Sequence, residues 1–362
     1  MKRADRFLAE YIWLDGAAPT QGLRSKTRVV ERGTDAPDAA DLPVWSYDGS
    51  STYQATGGDS DLILPPVRVV PDPLRGRGAV LVLCEVLDAE GVPHETNQRA
   101  TLRDALERTG AGVDPWVGFE QEYTLFRDGR PLGWPRDGYP APQGPFYCGV
   151  GADAVFGRTL VDRHAAACLA AGLLLYGTNA EVMPAPWEFQ IGHRGFDGES
   201  GDPLTVSDHL WLARFLLSRV CEEEGVSVSL HPKPVKGDWN GAGAHTNFST
   251  AATRDPANGI AAIREAIARL QVRHRRHIAH YGDALHERLT GLHETCAIDI
   301  FRSGVADRGA SVRVPRQVLA AGHGYLEDRR PGANCDPYVV CRELITTICA
   351  ATDGPHALRR SA

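Results

Sequence analysis

The chain has 362 residues, 43% of them apolar, and a formal net charge of −7. This length is too great for one small core and fits a large domain with a smaller one. The negative charge argues against nucleic acid, because phosphate backbones are bound by basic surfaces. No apolar stretch approaches the roughly 20 residues that a membrane-spanning helix needs. We therefore expect neither a nucleic-acid nor a membrane partner.

The eight cysteines show no CxxC pairing and mostly lie in apolar stretches. Disulfide frameworks and zinc sites place their cysteines at recognisable spacings, which this sequence lacks. The start of the chain, Met1 to Arg6, is followed by no signal-peptide core. We expect reduced core thiols and a cytoplasmic protein.

The predicted secondary structure changes character near residue 99. Asn97 is a good N-cap for a helix over 100–108, which Gly110 can close. We therefore place the domain boundary there, giving domains 1–99 and 100–362. Before it we predict strands over 10–14, 27–30 and 79–87. After it we predict helices over 157–171, 207–224, 259–280 and 337–350, and strands over 226–230 and 311–314.

Two carboxylates lie inside a strand-like stretch. Glu120 and Glu122 are two residues apart in the run 116–126, which is rich in β-branched and aromatic residues. Successive strand side chains point to opposite faces, so both carboxylates should share one face. Adjacent buried negative charges are strongly unfavourable, and a bound divalent cation relieves both the burial and the repulsion.

A second acidic pair is predicted at Glu181 and Glu188. They flank the sequence Met-Pro-Ala-Pro at 183–186, which is poor helix material, so we expect them to lie across from each other on a hairpin. One such glutamate alone fits a solvated strand face equally well. Four of them in two such contexts, with His245 in a Gly-rich approach, favour a metal site. An oxygen-rich set with one imidazole and no thiolate suits Mg²⁺ or Mn²⁺.

Arginine-rich segments lie late in the chain, over 288–295, 307–316 and 324–331. Arg308 and Arg313 flank a small-residue strand, from which a guanidinium can bind phosphate or carboxylate with two hydrogen bonds. Metal with converging arginines is typical of phosphoryl transfer. Surface salt bridging to the acidic residues before them is the alternative for Arg329 and Arg330. The sequence has no Walker loop, kinase glycine-rich loop or dinucleotide fingerprint.

Further blocks extend this pattern along most of the chain. They are Tyr-Ile-Trp-Leu-Asp-Gly at 11–16, Tyr-Asp-Gly-Ser-Ser-Thr at 47–52 and the segment 143–151. Together with the acidic and arginine-rich segments, these blocks resemble the type II glutamine synthetases, the smaller form found in eukaryotes and some bacteria. The resemblance runs from about residue 10 to about residue 347 and is collinear.

The resemblance implies an α+β fold, with an N-terminal β-grasp domain followed by a large catalytic domain of antiparallel sheet and flanking helices. It implies a homo-oligomer of stacked rings, a decamer, whose active sites lie between neighbouring subunits. The implied reaction joins ammonia to L-glutamate with ATP, giving L-glutamine, ADP and phosphate through γ-glutamyl phosphate. Ammonia cannot displace oxide from a carboxylate, so phosphorylation first supplies a leaving group. Two metals and the arginines offset the charge of that step.

The resemblance also implies ligands for the metals and for glutamate. One divalent ion would be held by Glu122, Glu181 and Glu188. The other would be held by Glu120, His245 and Glu327. Glutamate would be bound by Arg288, Arg329, Asn240 and Gly241.

The nucleotide and ammonium sites are implied in the same way. ATP would be bound by Phe189, Asn247, Ser249, Arg308, Arg313 and Tyr325, with Arg308 neutralising the transferring phosphoryl group. Ammonium would be bound by Asp48, Ser51, Tyr147 and Glu294. Asp48 would then remove a proton from ammonium, and Glu294 would hold the cation and exclude water.

The chain departs from the family pattern at three places. The stretch 296–303 has Asp299 and Ile300 where an Asn and an acidic residue are usual, the segment 193–202 is longer, and Leu326 replaces a common aromatic or Ile. An altered 296–303 stretch would permit another amine, so a γ-glutamylamide ligase is one alternative. A poorly active regulatory paralogue is another, against which the complete metal and arginine sets argue. A two-metal hydrolase fits the carboxylates but leaves the arginines unexplained.

Overall fold

The polypeptide folds as α+β, with a small N-terminal sheet followed by a long sheet and its flanking helices. The structure, a computed structural model, describes residues 6–349 apart from 32, 35–36, 77 and 111. None of the helices in these ranges is sufficiently long and apolar to span a membrane.

The strands β1 to β15 are Arg6–Leu14, Leu23–Glu31, Trp45–Asp48, Asp61–Leu64, Pro66–Pro71, Val80–Cys84, Trp116–Arg127, Arg130–Pro131, Leu175–Ala180, Pro186–Gly192, Ser227–Ser229, Ala244–Ser249, Ser303–Val305, Val312–Val314 and Leu326–Asp328. The helices α1 to α9 are Gln98–Glu107, Arg158–Ala170, Pro203–Glu222, Ala251–Arg254, Gly259–Val272, His274–Ile278, Leu285–Arg288, Arg316–Ala321 and Pro337–Ile348.

The N-terminal sheet has the strand order β2-β1-β6-β5, with β1 antiparallel to β2 and parallel to β6. Strands β3 and β4 form a separate antiparallel pair. Because successive side chains alternate, Tyr11 and Trp13 enter a small N-terminal core, whereas Ile12 enters the large core of the rest of the chain. Strand β6 divides in the same way, with Val82 in the small core and Leu83 in the large one. The sheet therefore has an apolar core on each face.

The long sheet has the order β13-β14-β15-β12-β7-β10-β9, and its central strand β7 also pairs with β8 and β11. Its neighbours are antiparallel except for the parallel pair β13 and β14. Alternation along β7 buries Phe119, Gln121 and Tyr123. The buried Arg214 of α3 donates to Gln121 Oε1 at 2.9 Å through Nε, which holds the helix beneath the sheet. The opposite face of β7 is left for polar residues.

Most predicted elements are present with shifted ends. Asn97 caps α1 by accepting the Ala100 amide at 3.1 Å, as predicted, and the predicted domain boundary falls in the first turn of this helix. Helix α3 begins four residues earlier than predicted, because Asp202 caps it and Pro203 fits its first turn. The single helix predicted over 259–280 is wrong: α5 and α6 are separate, with Arg273 between them outside helical geometry. The predicted end at residue 350 lies outside the described residues.

Candidate functional site

A polar pocket of about 550 Å³ opens on the face of the long sheet opposite α3. It is bordered by β7, β9, β10 and β12 and by the loops that carry the late arginines. Among the described residues, none of those lining it comes from 1–99. Thirteen of the predicted site residues line it: Glu120, Glu122, Tyr147, Glu181, Glu188, Asn240, Gly241, His245, Arg288, Glu294, Arg308, Arg313 and Arg329.

The sheet register brings the predicted metal ligands together. Glu188 of β10 lies opposite Glu122 of β7, and His245 of β12 lies opposite Glu120. Two groups of possible ligand atoms result, each with its atoms within 4.8 Å of one another. They are Glu122 with Glu181 and Glu188, and Glu120 with Glu188 and His245.

The predicted hairpin between Glu181 and Glu188 is formed by β9 and β10, but the two residues are not directly opposite. Glu188 pairs with Asn179, and Glu181 follows the last residue of β9. The Glu181 amide donates to the Pro186 carbonyl at 3.1 Å, which turns the chain so that its carboxylate approaches Glu188. Sequence alternation alone could not give this result, because it does not say which residues of the two strands face each other across the turn.

Ionisation of all three carboxylates in the group of Glu122, Glu181 and Glu188 is strongly unfavourable without a cation. Burial raises the pKa of Glu122 and Glu188, and neighbouring carboxylates raise that of Glu188 further. Burial and then repulsion from Glu122 raise the pKa of Glu181 to about 8. Burial, reinforced by Arg329 and Arg288, lowers the pKa of His245, so its ring is neutral. Carboxylates that resist ionisation beside a neutral imidazole fit an oxygen-preferring divalent ion.

Glu327, the remaining predicted metal ligand, lies beside the second group and is fully buried. Its Oε1 is 3.7 Å from His245 Nδ1 and accepts from Arg329 Nη1 at 2.6 Å. Its Oε2 accepts from Arg313 Nε. In this structure Glu327 therefore neutralises two arginines, and Glu188 takes the third place beside Glu120 and His245. No local pattern indicates that Glu188 belongs to both groups.

The predicted glutamate-binding residues lie side by side at the pocket. Buried Arg288 donates to the Arg329 carbonyl at 3.1 Å and to His245 Nε2 at 2.9 Å through Nη2. Burial lowers the pKa of Arg288 to about 10, which leaves the guanidinium charged at neutral pH. A Cβ at Gly241 would lie 2.7 Å from Arg288 Cγ and 2.3 Å from the Pro232 carbonyl, so only glycine fits there.

Gln143 supports the pocket residue Asn240 from outside the pocket, and the sequence interpretation did not single it out. It donates to Asn240 Oδ1 at 2.7 Å and accepts the Asn240 amide at 2.9 Å. It is also 3.0 Å from His293 Nδ1. Gln143 thus fixes Asn240 against the loop that carries Glu294. Its position at the start of the 143–151 block was the available signal.

A second cavity of about 310 Å³ adjoins the first and shares Glu120, Tyr176 and Gln190 with it. Three predicted ATP-binding residues line it: Asn247, Ser249 and Tyr325. Trp116, His193 and Arg254 also line it and were not predicted. Phe189 is fully buried on the other face of β10, in ring contact with Tyr123 and His164, and lines neither cavity.

Comparison with known proteins identifies the family of this fold and site. The family model described as the glutamine synthetase beta-Grasp domain matches residues 6–89, and the one described as the glutamine synthetase catalytic domain matches residues 95–275. The glutamine synthetase of Streptomyces viridochromogenes is 53% identical over 347 residues, covering 96% of this chain and 98% of that protein. The chain belongs to the glutamine synthetase family.

Two further comparisons agree with this result. The glutamine synthetase of the fungus Suillus bovinus is 50% identical over 348 residues, covering 96% of this chain and 94% of that protein. A solved structure of apo GmaS without ligand has a TM-score of 0.69 and 19% identity, covering 93% of this chain and 76% of that one. At that identity the structural likeness shows the fold alone. The chain is a glutamate–ammonia ligase, and its family uses ATP and divalent metal ions.

In this member of the glutamine synthetase family, two predicted ammonium-site residues lie outside both cavities. Asp48 is exposed at the end of β3 and accepts from Ser51 Oγ at 2.7 Å. Hydrogen bonds from the hydroxyls and backbone amides of Ser50 and Ser51, with that of the Ser50 hydroxyl foremost, lower the pKa of Asp48. Within the described part of one chain, the cavities are thus built without either residue.

Proposed function

We propose that the 550 Å³ pocket is where glutamate, the ATP phosphates and ammonia meet, and that glutamine forms there through γ-glutamyl phosphate. The observation that carries this is the convergence of two acidic groups and four arginines in one pocket. The arginines are Arg288, Arg308, Arg313 and Arg329. The γ-carboxylate attacks the terminal phosphorus of ATP, ADP leaves, ammonia then attacks the acyl carbon, and phosphate leaves.

The acidic groups fit two divalent ions, Mg²⁺ or Mn²⁺. Glu122, Glu181 and Glu188 would hold one ion, because their raised pKa values mark negative charge that lacks a partner. Glu120 and His245 would hold the other, with Glu327 or Glu188 as the third ligand. Such ions would offset phosphate charge and orient the reacting oxygens.

The arginines have separable roles in this proposal. Arg288 and Arg329 bind the carboxylates of glutamate, with Asn240 and Gly241 beside them. Arg308 and Arg313 neutralise the phosphoryl group during transfer. Glu294 and Tyr147 raise the pKa of Arg308 against the opposing effect of burial, so it is cationic throughout the working range. The ATP base and ribose would lie in the adjoining cavity, near Asn247, Ser249 and Tyr325.

We assign ammonium to the mouth of the pocket, beside Glu294 and Tyr147. Asp48 and Ser51 would complete this site from the N-terminal sheet of a neighbouring subunit, since they lie outside the cavities of their own chain. The proposal therefore requires a homo-oligomer, which we expect to be a decamer of stacked rings. We place the protein in the cytoplasm, in keeping with its eight free cysteines.

An ATP-coupled assay with glutamate and ammonium tests the proposal. The full-length protein with Mg²⁺ or Mn²⁺ should release ADP and phosphate together with an equal amount of glutamine. Omission of glutamate or of the metal is the control and should abolish ADP release. Absence of ADP above background with ammonium and with a panel of other amines would contradict the proposed chemistry.

A further inference from the structure

Two consecutive residues at the pocket have a strained backbone. His293 and Glu294 have φ values of 52° and 58°, in the left-handed region that residues with a Cβ rarely occupy. Such a residue is strained and persists only where its surroundings hold it. Both belong to the Glu294 loop, residues 289–302, which joins α7 to β13. The contacts that hold this loop are therefore relevant to the pocket.

Hydrogen bonds of Ile298 hold the loop at its base, below the strained residues His293 and Glu294. The Ile298 amide donates to the Leu289 carbonyl at 2.9 Å, which closes a short ring of chain around the two strained residues. On its other side, the Ile298 carbonyl lies 2.8 Å from Nε2 of His274. His274 is the first residue of α6 and is only 8% exposed. One histidine thus contacts the base of the loop from the protein interior.

The partners of His274 determine which ring nitrogen carries the proton. Its Nδ1 is 3.1 Å from Nη1 of Arg330, and a guanidinium can only donate. Nδ1 must accept, so the proton of the neutral ring is on Nε2 and is donated to the Ile298 carbonyl. Burial lowers the pKa of His274, which agrees with a neutral ring.

Arg330 is itself firmly held. It donates to Asp328 at 2.8 Å through Nε and at 2.6 Å through Nη2, and both residues are buried. Its Cζ is 5.3 Å from the ring centre of Phe301, and that ring meets His274 edge-on at 5.7 Å. Two points of the Glu294 loop, Ile298 and Phe301, therefore rest on the same interior pair.

We infer that His274 is a positioning residue that fixes the Glu294 loop at the pocket, by joining the Ile298 carbonyl to the Arg330–Asp328 pair. Asp328 and Arg330 flank Arg329, which lines the pocket and donates weakly to the Glu294 carbonyl at 3.5 Å. The segment after β15 that carries Arg329 and the loop that carries Glu294 are thus connected through one imidazole. This inference rests on the proposed role of Glu294.

A loosened loop has a chemical consequence that a simple loss of stability lacks. If water reaches γ-glutamyl phosphate, its oxygen attacks the acyl carbon, the bond to the phosphate oxygen breaks, and glutamate and phosphate are released. The net reaction is then hydrolysis of ATP to ADP and phosphate, and no glutamine forms. The ratio of ADP to glutamine therefore reports how well the Glu294 loop is held.

The decisive comparison is between His274→Asn and His274→Gln in the full-length protein. Asparagine keeps an acceptor for Arg330 but is too short to reach the Ile298 carbonyl, whereas the glutamine amide nitrogen reaches about as far as Nε2. In His274→Asn, the ADP-to-glutamine ratio and the KM for ammonium should each rise about fivefold or more. The KM for ATP should change less than about twofold. Hydrogen exchange at the Ile298 amide should become faster, and His274→Gln should recover most of each effect.

His277→Asn is the matched control. His277 lies on the same helix and is fully buried. Within the described residues its ring is hydrogen-bonded to Tyr281, Thr347 and Arg330, and to no residue of the Glu294 loop. The His277→Asn variant should have a lower melting temperature than the wild type but the same ratio of ADP to glutamine. The inference would be refuted if folded His274→Asn kept the wild-type ratio of ADP to glutamine. It would also be refuted if His277→Asn raised that ratio as much as His274→Asn does. If His274→Asn does not fold, His274→Gln decides: it keeps a donor for the Ile298 carbonyl, so a ratio of ADP to glutamine near that of the wild type supports the inference and a raised ratio refutes it. A wild type that makes no glutamine would instead refute the proposed function on which the inference rests.

Discussion

Glu188 lies directly opposite Glu122 in the antiparallel pairing of β10 with β7. Side chains in such positions have Cβ atoms about 5 Å apart, so two carboxylates are held side by side. Burial is the main reason that the pKa of each is raised. A sheet that fixes two negative charges in this way is stable with a cation between them and strained without one.

Glu122→Gln should therefore abolish turnover while the fold is kept. The amide matches the carboxylate in size but offers no charge to the ion that Glu122, Glu181 and Glu188 would hold, so kcat should fall about 100-fold or more, equivalent to ~2.7 kcal/mol. ADP release measures this, with circular dichroism to confirm folding. Glu222→Gln is the control, because Glu222 is exposed and pairs with Arg219 at the surface. A Glu122→Gln enzyme with more than half the wild-type activity would show that this metal assignment is wrong.

The ion-free protein should lose stability as pH rises. The pKa of Glu181 is raised from an ordinary 4.5 to about 8, so the folded state keeps a proton that the unfolded state releases. This contribution is complete below about pH 4.5 and is lost as the pH rises through about 8. Added Mg²⁺ should therefore raise the melting temperature more at about pH 8 than at about pH 5. Glu181→Gln, which cannot titrate there, should flatten this difference; an unchanged pH dependence would count against Glu181 as the cause.

Asp208→Asn should weaken the junction of the N-terminal sheet with the rest of the chain. Asp208 is fully buried and accepts from Arg68 and Arg99 at 2.8 Å and from Tyr338 at 2.7 Å. Loss of its charge leaves two arginines poorly paired, and we expect a loss of ~3 kcal/mol in unfolding free energy. Denaturant unfolding measures it. The exposed pair of Arg163 with Glu223 is the control and should contribute less than ~1 kcal/mol.

A shared active site should allow inactive subunits to complement one another. Asp48→Ala and Glu122→Ala each damage a different half of the proposed site, so mixed oligomers should contain some intact sites. Co-expression of the two variants with different tags, followed by assay of the doubly purified assembly, measures the recovery. Mixed oligomers confirmed by mass that show no activity would mean that Asp48 acts within its own chain or not at all.

Ammonium should remain the best amine, although small amines should also react. The loop side chain Ile300 is 56% exposed, and Arg302 adds positive charge near Asp307, so the loop concentrates cations less well than an acidic one. We expect detectable use of hydroxylamine or methylamine and a weaker affinity for ammonium than is usual in the family. Steady-state kinetics over an amine series decides this. A bulky amine preferred by about tenfold, or ~1.4 kcal/mol, would instead favour a γ-glutamylamide ligase.

Much of the molecule follows from local sequence. Alternation along 116–126 put Glu120 and Glu122 on one face, and Asn97 marked the start of α1, because both depend only on near neighbours. The α+β fold and the ligase activity followed from collinear blocks that span most of the chain. The residue types of the pocket, acidic groups with converging arginines, were readable in the same way.

Tertiary structure decided which of these residues meet. The register of β10 against β7 and β9 placed Glu188 in both acidic groups, and a two-residue spacing after Glu327 gave its carboxylate to Arg329. His274 gave no sequence signal, since its function depends on a carbonyl 24 residues away and on a guanidinium 56 residues away. Local patterns fix the side of a strand or helix on which a residue lies. Strand register and hydrogen bonds between distant segments fix its partners, and these form only when the whole chain has folded.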